Sequence, residues 1–294
     1  MISLQGVSAR RRPVSIHDVA IEWGSGVHAV VGALSDGCAL LLAVIVGAAK
    51  IQRGRVRVLD GAPTDARVRP QIARVGIDPS LPDALRVDEA LALASILRGD
   101  PPRPASERLS VLGLEALARR PVRSLSRAEA RGVALTEGLT SSRVRVLVLE
   151  EPFAASDART ASRIVETLRD KSRDGCAIVV ATSSLRDAGE LADDYVLVRA
   201  GVLVGEARSV HAVASIASDG ASLVIIARDA IEARRLVAAL ANESHLAGVE
   251  LDANTITVRG ADPLELARAA GRAATQAQVN PVEMHREPAS LGVQ

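Results

Sequence analysis

Three short apolar runs constrain the fold of this chain most: Val27 to Val31, Val144 to Leu149 and Cys176 to Ala181. Each is one strand long, and none alternates as a strand with one wet face would. Strands of this kind are buried on both sides, which points to a parallel sheet with helices on each face. The segments between them fit. Cys38 to Ala49, Val87 to Leu97, Ser126 to Leu139, Thr160 to Arg173 and Leu185 to Ala192 read as helices, and Ser126 suits a helix cap. Ahead of them Ile2 to Val7 and Val14 to Glu22 read as strands, Gly54 opens another over Arg55 to Leu59, and Ile72 to Gly76 is short and strand-like. Gly99 to Pro104 is Pro-rich and breaks the chain. Tyr195 to Arg199 and Val202 to Gly205 form a hairpin around Ala200-Gly201.

After Arg208 the pattern restarts. Strands at Leu223–Ala227, Val249–Leu251, Thr255–Val258 and Pro281–His285 and helices at Ile231–Leu240 and Leu264–Ala274 spell β-α-β-β-α-β, a small split α+β unit. A first domain over residues 1–207 and a second over 208–294 are expected.

Composition excludes several classes. With 36 basic and 35 acidic residues the net charge is +1, so the chain is not built to coat nucleic acid. Its only aromatics are Trp23, Phe153 and Tyr195, which leaves almost nothing on which bases could stack, and no nucleic-acid partner is expected. Two cysteines, Cys38 and Cys176, and five scattered histidines make neither a disulfide framework nor a metal set. Trp23 to Ala49 carries one charge, Asp36, and is long enough to cross a bilayer. However, Gly24, Gly26, Gly32 and Gly37 interrupt it, and its continuous apolar part, Cys38 to Ala49, is too short. Met1 to Pro13 does not read as a signal peptide, because its Arg run follows the apolar residues. A soluble chain is expected.

One segment stands where a phosphate loop belongs: Gly32-Ala33-Leu34-Ser35-Asp36-Gly37-Cys38-Ala39, between a buried strand and a helix. Such a loop needs a Lys against the phosphates and a hydroxyl for Mg²⁺ after its second glycine. Here the glycine spacing survives, but Cys38 and Ala39 occupy those positions and Asp36 adds a negative charge. On these residues alone, a plain strand-turn-helix and an eroded phosphate loop are equally good descriptions. A second loop, Gly24 to Ala29, matches a dinucleotide fingerprint formally but leads into a strand, which rejects it.

The order of several segments resembles the ATP-binding subunits of ABC transporters over nearly the whole chain. Gly32, Ser35, Asp36, Gly37, Cys38, Ala39 and Leu40 stand at the Walker A loop, and Leu125-Ser126-Arg127-Ala128-Glu129 is similar to the signature motif. Val146 to Pro152 resembles the Walker B strand with its acidic end, Ala154 to Asp157 the D-loop, and Ala181 to Leu185 the switch-histidine loop. The last unit and the ending Glu287 to Leu291 resemble the accessory domain of drug- and polysaccharide-exporter ATPases. The resemblance implies a P-loop NTPase-like α/β core with a parallel sheet, an antiparallel N-terminal subdomain, an α-helical subdomain over about residues 77–124, and a small C-terminal α+β domain.

The departures fall on the working positions. Ile77 stands at the metal-contacting Gln, Arg127 and Ala128 at the signature glycines, and Ser183 at the switch His, while no aromatic stands near Arg11 and Arg12 to stack a base. Glu150 at the Walker B Asp, Glu151 at the general base and Asp157 remain. Glu151 is expected to be vestigial, a relic capping a sheet edge. Cys38 at a helix start could be a reactive thiol; a small residue packed under an unused loop is preferred. Arg10 to Arg12 reads as a solvated turn, the alternatives being acidic headgroups or a permease. Asn242-Glu243-Ser244 matches a glycosylation sequon and carries no weight in a cytoplasmic chain.

The resemblance then implies a degenerate, non-hydrolysing subunit of an ABC-type exporter, structural or regulatory, peripheral at the inner face of the cell membrane. Its implied partners are a membrane permease and a second ATPase subunit, as homodimer or heterodimer, and no cofactor is expected. A working ATPase with unorthodox ligands, which would need ATP and Mg²⁺, and a repurposed cytoplasmic interaction protein are the alternatives.

Overall fold

The computed structural model describes residues 1–154, 156–209, 221–241, 243, 246–260 and 263–287. Two compact units divide it, 1–210 and 211–294.

In the first unit, strands β1 (Ile2–Arg11), β2 (Val14–Trp23) and β4 (Ile51–Val58) form an antiparallel sheet in the order β2-β1-β4. The apolar runs become the centre of a six-stranded sheet. Its strands are β3 (Gly26–Val31), β5 (Ile72–Val75), β6 (Val146–Glu150), β7 (Ala177–Thr182), β8 (Asp194–Arg199) and β9 (Val202–Ala207), in the order β5-β6-β7-β3-β8-β9. Every pairing in it is parallel except β8 with β9. Helix α1 (Cys38–Ile45) lies between the two sheets. Its Leu41, Leu42 and Ile45 share one core with Ile2, Leu4 and Ile16 of the small sheet and Val30, Val148 and Val179 of the large one. On the other face of the large sheet, Leu147, Leu149, Ile178 and Val180 pack against Leu135 and Leu139 of α4 (Arg127–Thr140) and Ile164 and Leu168 of α5 (Ala158–Arg173). Burial on both sides explains why these strands carry no polar alternation. Helices α2 (Val87–Arg98) and α3 (Ala105–Ser110) form a helical segment with its own core, including Val87, Leu91, Leu109 and Val133. Helix α6 (Leu185–Leu191) follows β7.

Three elements differ from expectation. Helix α1 stops at Ile45, four residues early, where the chain turns left-handed at Gly47 (φ 71°). Gly54 does not open β4 but lies inside it, opposite a bulge at Gly6 and Val7 of β1. Its φ is 85°, and a side chain there would strike the carbonyl oxygens of Gln5 and Gly6. Helix α3 lies beyond the Pro-rich break and is too short for its periodicity to show.

The second unit is an antiparallel sheet of β10 (Ala221–Ile226), β11 (Leu246–Asp252), β12 (Thr255–Gly260) and β13 (Glu283–Glu287) in the order β11-β12-β10-β13. Helices α7 (Ala230–Leu240) and α8 (Pro263–Ala277) close its core, which includes Leu223, Ile225, Leu236, Ile256, Val258 and Ala270. Asp229 caps α7, its carboxylate accepting the N–H groups of Ile231 and Glu232 at 2.8 Å. This is the split β-α-β-β-α-β arrangement. The exporter-like ending and the sequon residues Asn242 and Ser244 lie outside the described residues. Among the described residues, no helix is long and apolar enough to cross a membrane.

Candidate functional site

Three neighbouring parallel strands end side by side. The register sets Val31 of β3 beside Thr182 of β7, and Glu150 of β6 beside Ala181. The loops at Gly32, Glu151 and Ser183 therefore leave from one edge, the carboxyl end of the sheet, where α/β folds bind ligands.

The loop after β3 is tightly held. Gly32 (φ 152°) donates its N–H to Thr182 O at 3.1 Å, and a side chain there would run into the carbonyl of Val198. Residues Leu34–Asp36 make one 3₁₀ turn. Asp36 O accepts the N–H of Gly201 at 2.7 Å, and Gly201 O accepts that of His17 at 2.9 Å, so hairpin β8–β9 and β2 clamp the loop. Gly37 (φ 108°) starts α1 where a Cβ would lie 2.9 Å from Ile16 Cγ2. The Asp36 carboxylate turns back onto the loop and accepts the Ala33 N–H at 3.4 Å. Cys38 is fully buried, Ala39 offers only a methyl group, and Leu40 is a core residue.

Burial, followed by the charge of Asp36, pushes the Cys38 thiol up to about 12. Cys38 is thus a packed, neutral thiol. Native chain at about pH 8 is expected to leave it unmodified by maleimide, while urea-unfolded chain reacts. The unfolded thiol ionises near the ordinary thiol value of 9.0 and the folded one near 12, so between those values the unfolded state binds fewer protons. Stability should fall as pH rises through that window, and Cys38→Ala should remove part of the fall in urea titrations.

Glu150 is buried at the end of β6. Its carboxylate accepts Arg74 Nε at 3.2 Å and Arg74 Nη2, and its other oxygen faces the Ile77 N–H at 3.4 Å. Glu151 adopts a left-handed conformation (φ 42°), and its N–H donates to Ala181 O at 2.7 Å. Its carboxylate accepts the Ser183 N–H at 2.8 Å, the Ser183 hydroxyl at 3.0 Å and the Thr182 hydroxyl at 2.8 Å. Glu151 therefore caps the loop after β7. Glu151→Gln should lower stability by about 1–2 kcal/mol in urea unfolding, since bonds to a charged acceptor are weakened. A carboxylate held poised for catalysis would give no loss.

Arg131 ties α4 to this edge. It is buried, and its guanidinium donates to Gly76 O at 2.6 Å, Glu151 O at 2.5 Å and Glu150 O. Burial pulls its pKa down, and the charges of Glu150 and Glu151 oppose that shift. At the start of α4, Ser126 and Glu129 form a reciprocal cap, with Ser126 N–H to Glu129 at 2.7 Å and Glu129 N–H to Ser126 Oγ at 3.2 Å. The Ser126 N–H holds the Glu129 carboxyl below its usual range, helped by Arg120. Arg127 pairs with Asp78, and Ala128 is exposed beside it. Asp157 caps α5 through the Thr160 N–H at 2.7 Å, which likewise lowers its pKa.

The structure thus gathers Gly32, Cys38, Glu150, Glu151 and Ser183 at one edge. The polar contacts of Ser126, Arg127 and Glu129 run instead to one another, Arg120 and Asp78. Sequence reasoning missed Arg74, Asp78, Arg131 and Thr182. Two of them left signals. Arg74 is the lone charge in an apolar strand, and Arg131 stands one helical turn before Leu135 on the buried stripe of α4.

No family model matches the chain. It is similar to the ribose import ATP-binding protein RbsA 1 of Rubrobacter xylanophilus, 27% identical over 220 residues, covering 70% of this chain and 44% of the relative. The molybdate/tungstate import ATP-binding protein WtpC of Pyrococcus horikoshii is 26% identical over 219 residues, covering 71% and 63%. The molybdenum import ATP-binding protein ModC of Mycobacterium tuberculosis is 32% identical over 219 residues, covering 69% and 58%. The chain spans less than two thirds of the length of each of these relatives. Among solved structures, the dimeric ATP-binding cassette MJ0796 bound to ADP and Pi superposes with a TM-score of 0.64 at 20% identity, covering 71% of this chain and 98% of that one. A structure described as the ATP-binding subunit of an ABC transporter gives 0.63 at 19% identity, covering 71% and 90%. The chain has the fold of the ATP-binding subunits of ABC transporters and is similar to them in sequence.

Proposed function

We propose that this chain is a non-hydrolysing subunit of an ABC-type transporter, a structural or regulatory partner of a membrane permease whose transport energy comes from another ATPase. The observation that carries this is the pairing of Glu150 with Arg74. The carboxylate that would hold Mg²⁺ already holds a guanidinium, next to a loop with Cys38 and Ala39 where a cation and a hydroxyl are needed. ATP and Mg²⁺ do not fit these residues. The exporter direction rests on the C-terminal α+β unit; the relatives named above are import proteins.

The permease contact fits the groove between the core and the helical segment. It encloses about 1240 Å³ and is lined by Ile72, Gly76, Pro79, Leu91, Leu97 and Ala134. Helix α2 exposes Leu93, Ile96 and Leu97 beside it. On this reading the chain works at the inner face of the cell membrane, with a second copy or another ATPase subunit as its neighbour. The test pairs two assays. Purified chain should hydrolyse no more ATP than its Glu151→Gln variant. A Leu93→Glu, Leu97→Glu variant should stay folded but no longer sediment with permease-containing membranes. Mg²⁺-dependent turnover lost in Glu151→Gln would overturn the reading.

A further inference from the structure

The three-stranded sheet brings together two basic runs some forty residues apart in sequence. Leu4 pairs with Val56 and Ile2 with Val58, and all four face the core. The residues between them must face outward. Arg57 lies opposite Ser3, Arg55 opposite Gln5 and Arg53 opposite Ser8, and all three arginines are exposed. Pairing of Ala9 with Ile51 brings exposed Lys50 level with the end of β1, where Arg10, Arg11 and Arg12 are exposed as well. Alternation from buried Ala9 sets Arg10 on the same outer face as Arg53, Arg55 and Arg57, while Lys50, Arg11 and Arg12 stand at its rim, which makes seven exposed cations on and around one face. Among the described residues none of the seven pairs with a carboxylate; Arg57 donates to the carbonyl of Asp60 at 3.2 Å. The exposed acids of this sheet, Asp18 and Glu22, sit on β2, the strand farthest from β4. In a chain of net charge +1 this is a strong local asymmetry.

We infer that the outer face of this sheet binds the anionic surface of a lipid bilayer. Side chains alternating along β4 stand about 7 Å apart and at one height. A plane of charges can meet a planar headgroup layer with Arg53, Arg55, Arg57 and Arg10 at once, which it cannot do around a cylinder of DNA. The face also lacks what nucleic-acid readers use. Trp23, the sheet's only aromatic, is buried on the opposite side, so no base can stack on this face. A cluster of four to eight Lys or Arg beside a membrane is the usual electrostatic device for holding anionic lipid. The Arg10 to Arg12 turn, read from sequence as merely solvated, becomes one end of a surface whose larger part is β4. This inference does not depend on the permease reading, because it concerns lipid alone.

The test uses the purified full chain and protein-free vesicles of phosphatidylcholine with or without one third phosphatidylglycerol. The chain should sediment with the anionic vesicles only, and high salt should release it. The variant Arg53→Gln, Arg55→Gln, Arg57→Gln should bind about a hundredfold more weakly, from about fivefold per charge. The matching triple Lys variant should bind like the native chain, and unfolding midpoints confirm that both variants fold. Failure of the native chain to bind anionic vesicles, equal binding by the Gln variant, or tighter binding to random duplex DNA than to vesicles at the same ionic strength would each overturn it.

Discussion

Native chain with Mg²⁺ and a fluorescent ATP analogue should show no binding below millimolar concentration. The variant Cys38→Lys, Ala39→Ser, Asp36→Ala should gain it by several orders of magnitude. The effect is electrostatic. A unit charge at about 4 Å is worth roughly 4 kcal/mol at an effective dielectric near 20, and the native loop lacks the cation and adds an anion. The loop itself should survive the change, because Gly32 and Gly37 hold its shape through contacts with Val198, Ile16 and Gly201 that the substitutions leave in place. The strain point is position 38, where a Lys must replace a fully buried thiol and reach out of the core. Turnover should remain absent in this variant. Glu150 would still hold Arg74, Ile77 would still offer no side-chain ligand, and Ser183 would still be bonded to Glu151. Equilibrium titration and a phosphate-release assay read the two outcomes separately.

The second large effect is structural. Arg131→Met should destabilise the first unit by about 3–5 kcal/mol, the usual cost of removing one partner from a buried charged network. The substitution strands three carbonyls, Gly76 O, Glu150 O and Glu151 O, and removes a buried cation that lies near the Glu150 and Glu151 carboxylates. For a unit of this size the unfolding midpoint should drop by roughly 10 °C. Arg127→Gly provides the contrast. Its ion pair with Asp78 is largely exposed, so the change should cost well under about 1 kcal/mol despite lying four residues away. Parallel urea titrations of the two variants check this. Equal effects would mean that Arg131 does not fasten α4 to the sheet edge.

The fold was legible where physics leaves a sequence trace. Strands β3, β6 and β7 announce themselves because burial on both faces forbids alternation, and the split α+β unit because each element is short and bounded by turns. Elements whose definition is tertiary were less legible. Gly54 looks like a strand start and lies inside the strand opposite a bulge of β1, because its left-handed conformation answers to carbonyls on β1. The site was half legible. Glycine spacing and the Glu150-Glu151 pair located the edge, and the topology does bring those residues together. The partners that occupy them could not be found by motif. Arg74 reaches Glu150 across a strand pairing, Arg131 reaches it from a helix, and the Arg53, Arg55 and Arg57 row joins Arg10 only through sheet register.

The central claim is that the polar groups at the carboxyl edge fasten the fold instead of holding nucleotide. Its most direct test is the unfolding midpoint of the native and Glu151→Gln chains, each with and without millimolar Mg²⁺-ATP. A ligand at about a hundred times its Kd adds roughly 2.7 kcal/mol, an easily read shift. The account predicts a lower midpoint for Glu151→Gln and no response to nucleotide in either chain. A midpoint that rises with Mg²⁺-ATP, or a Glu151→Gln chain as stable as the native one, would contradict it.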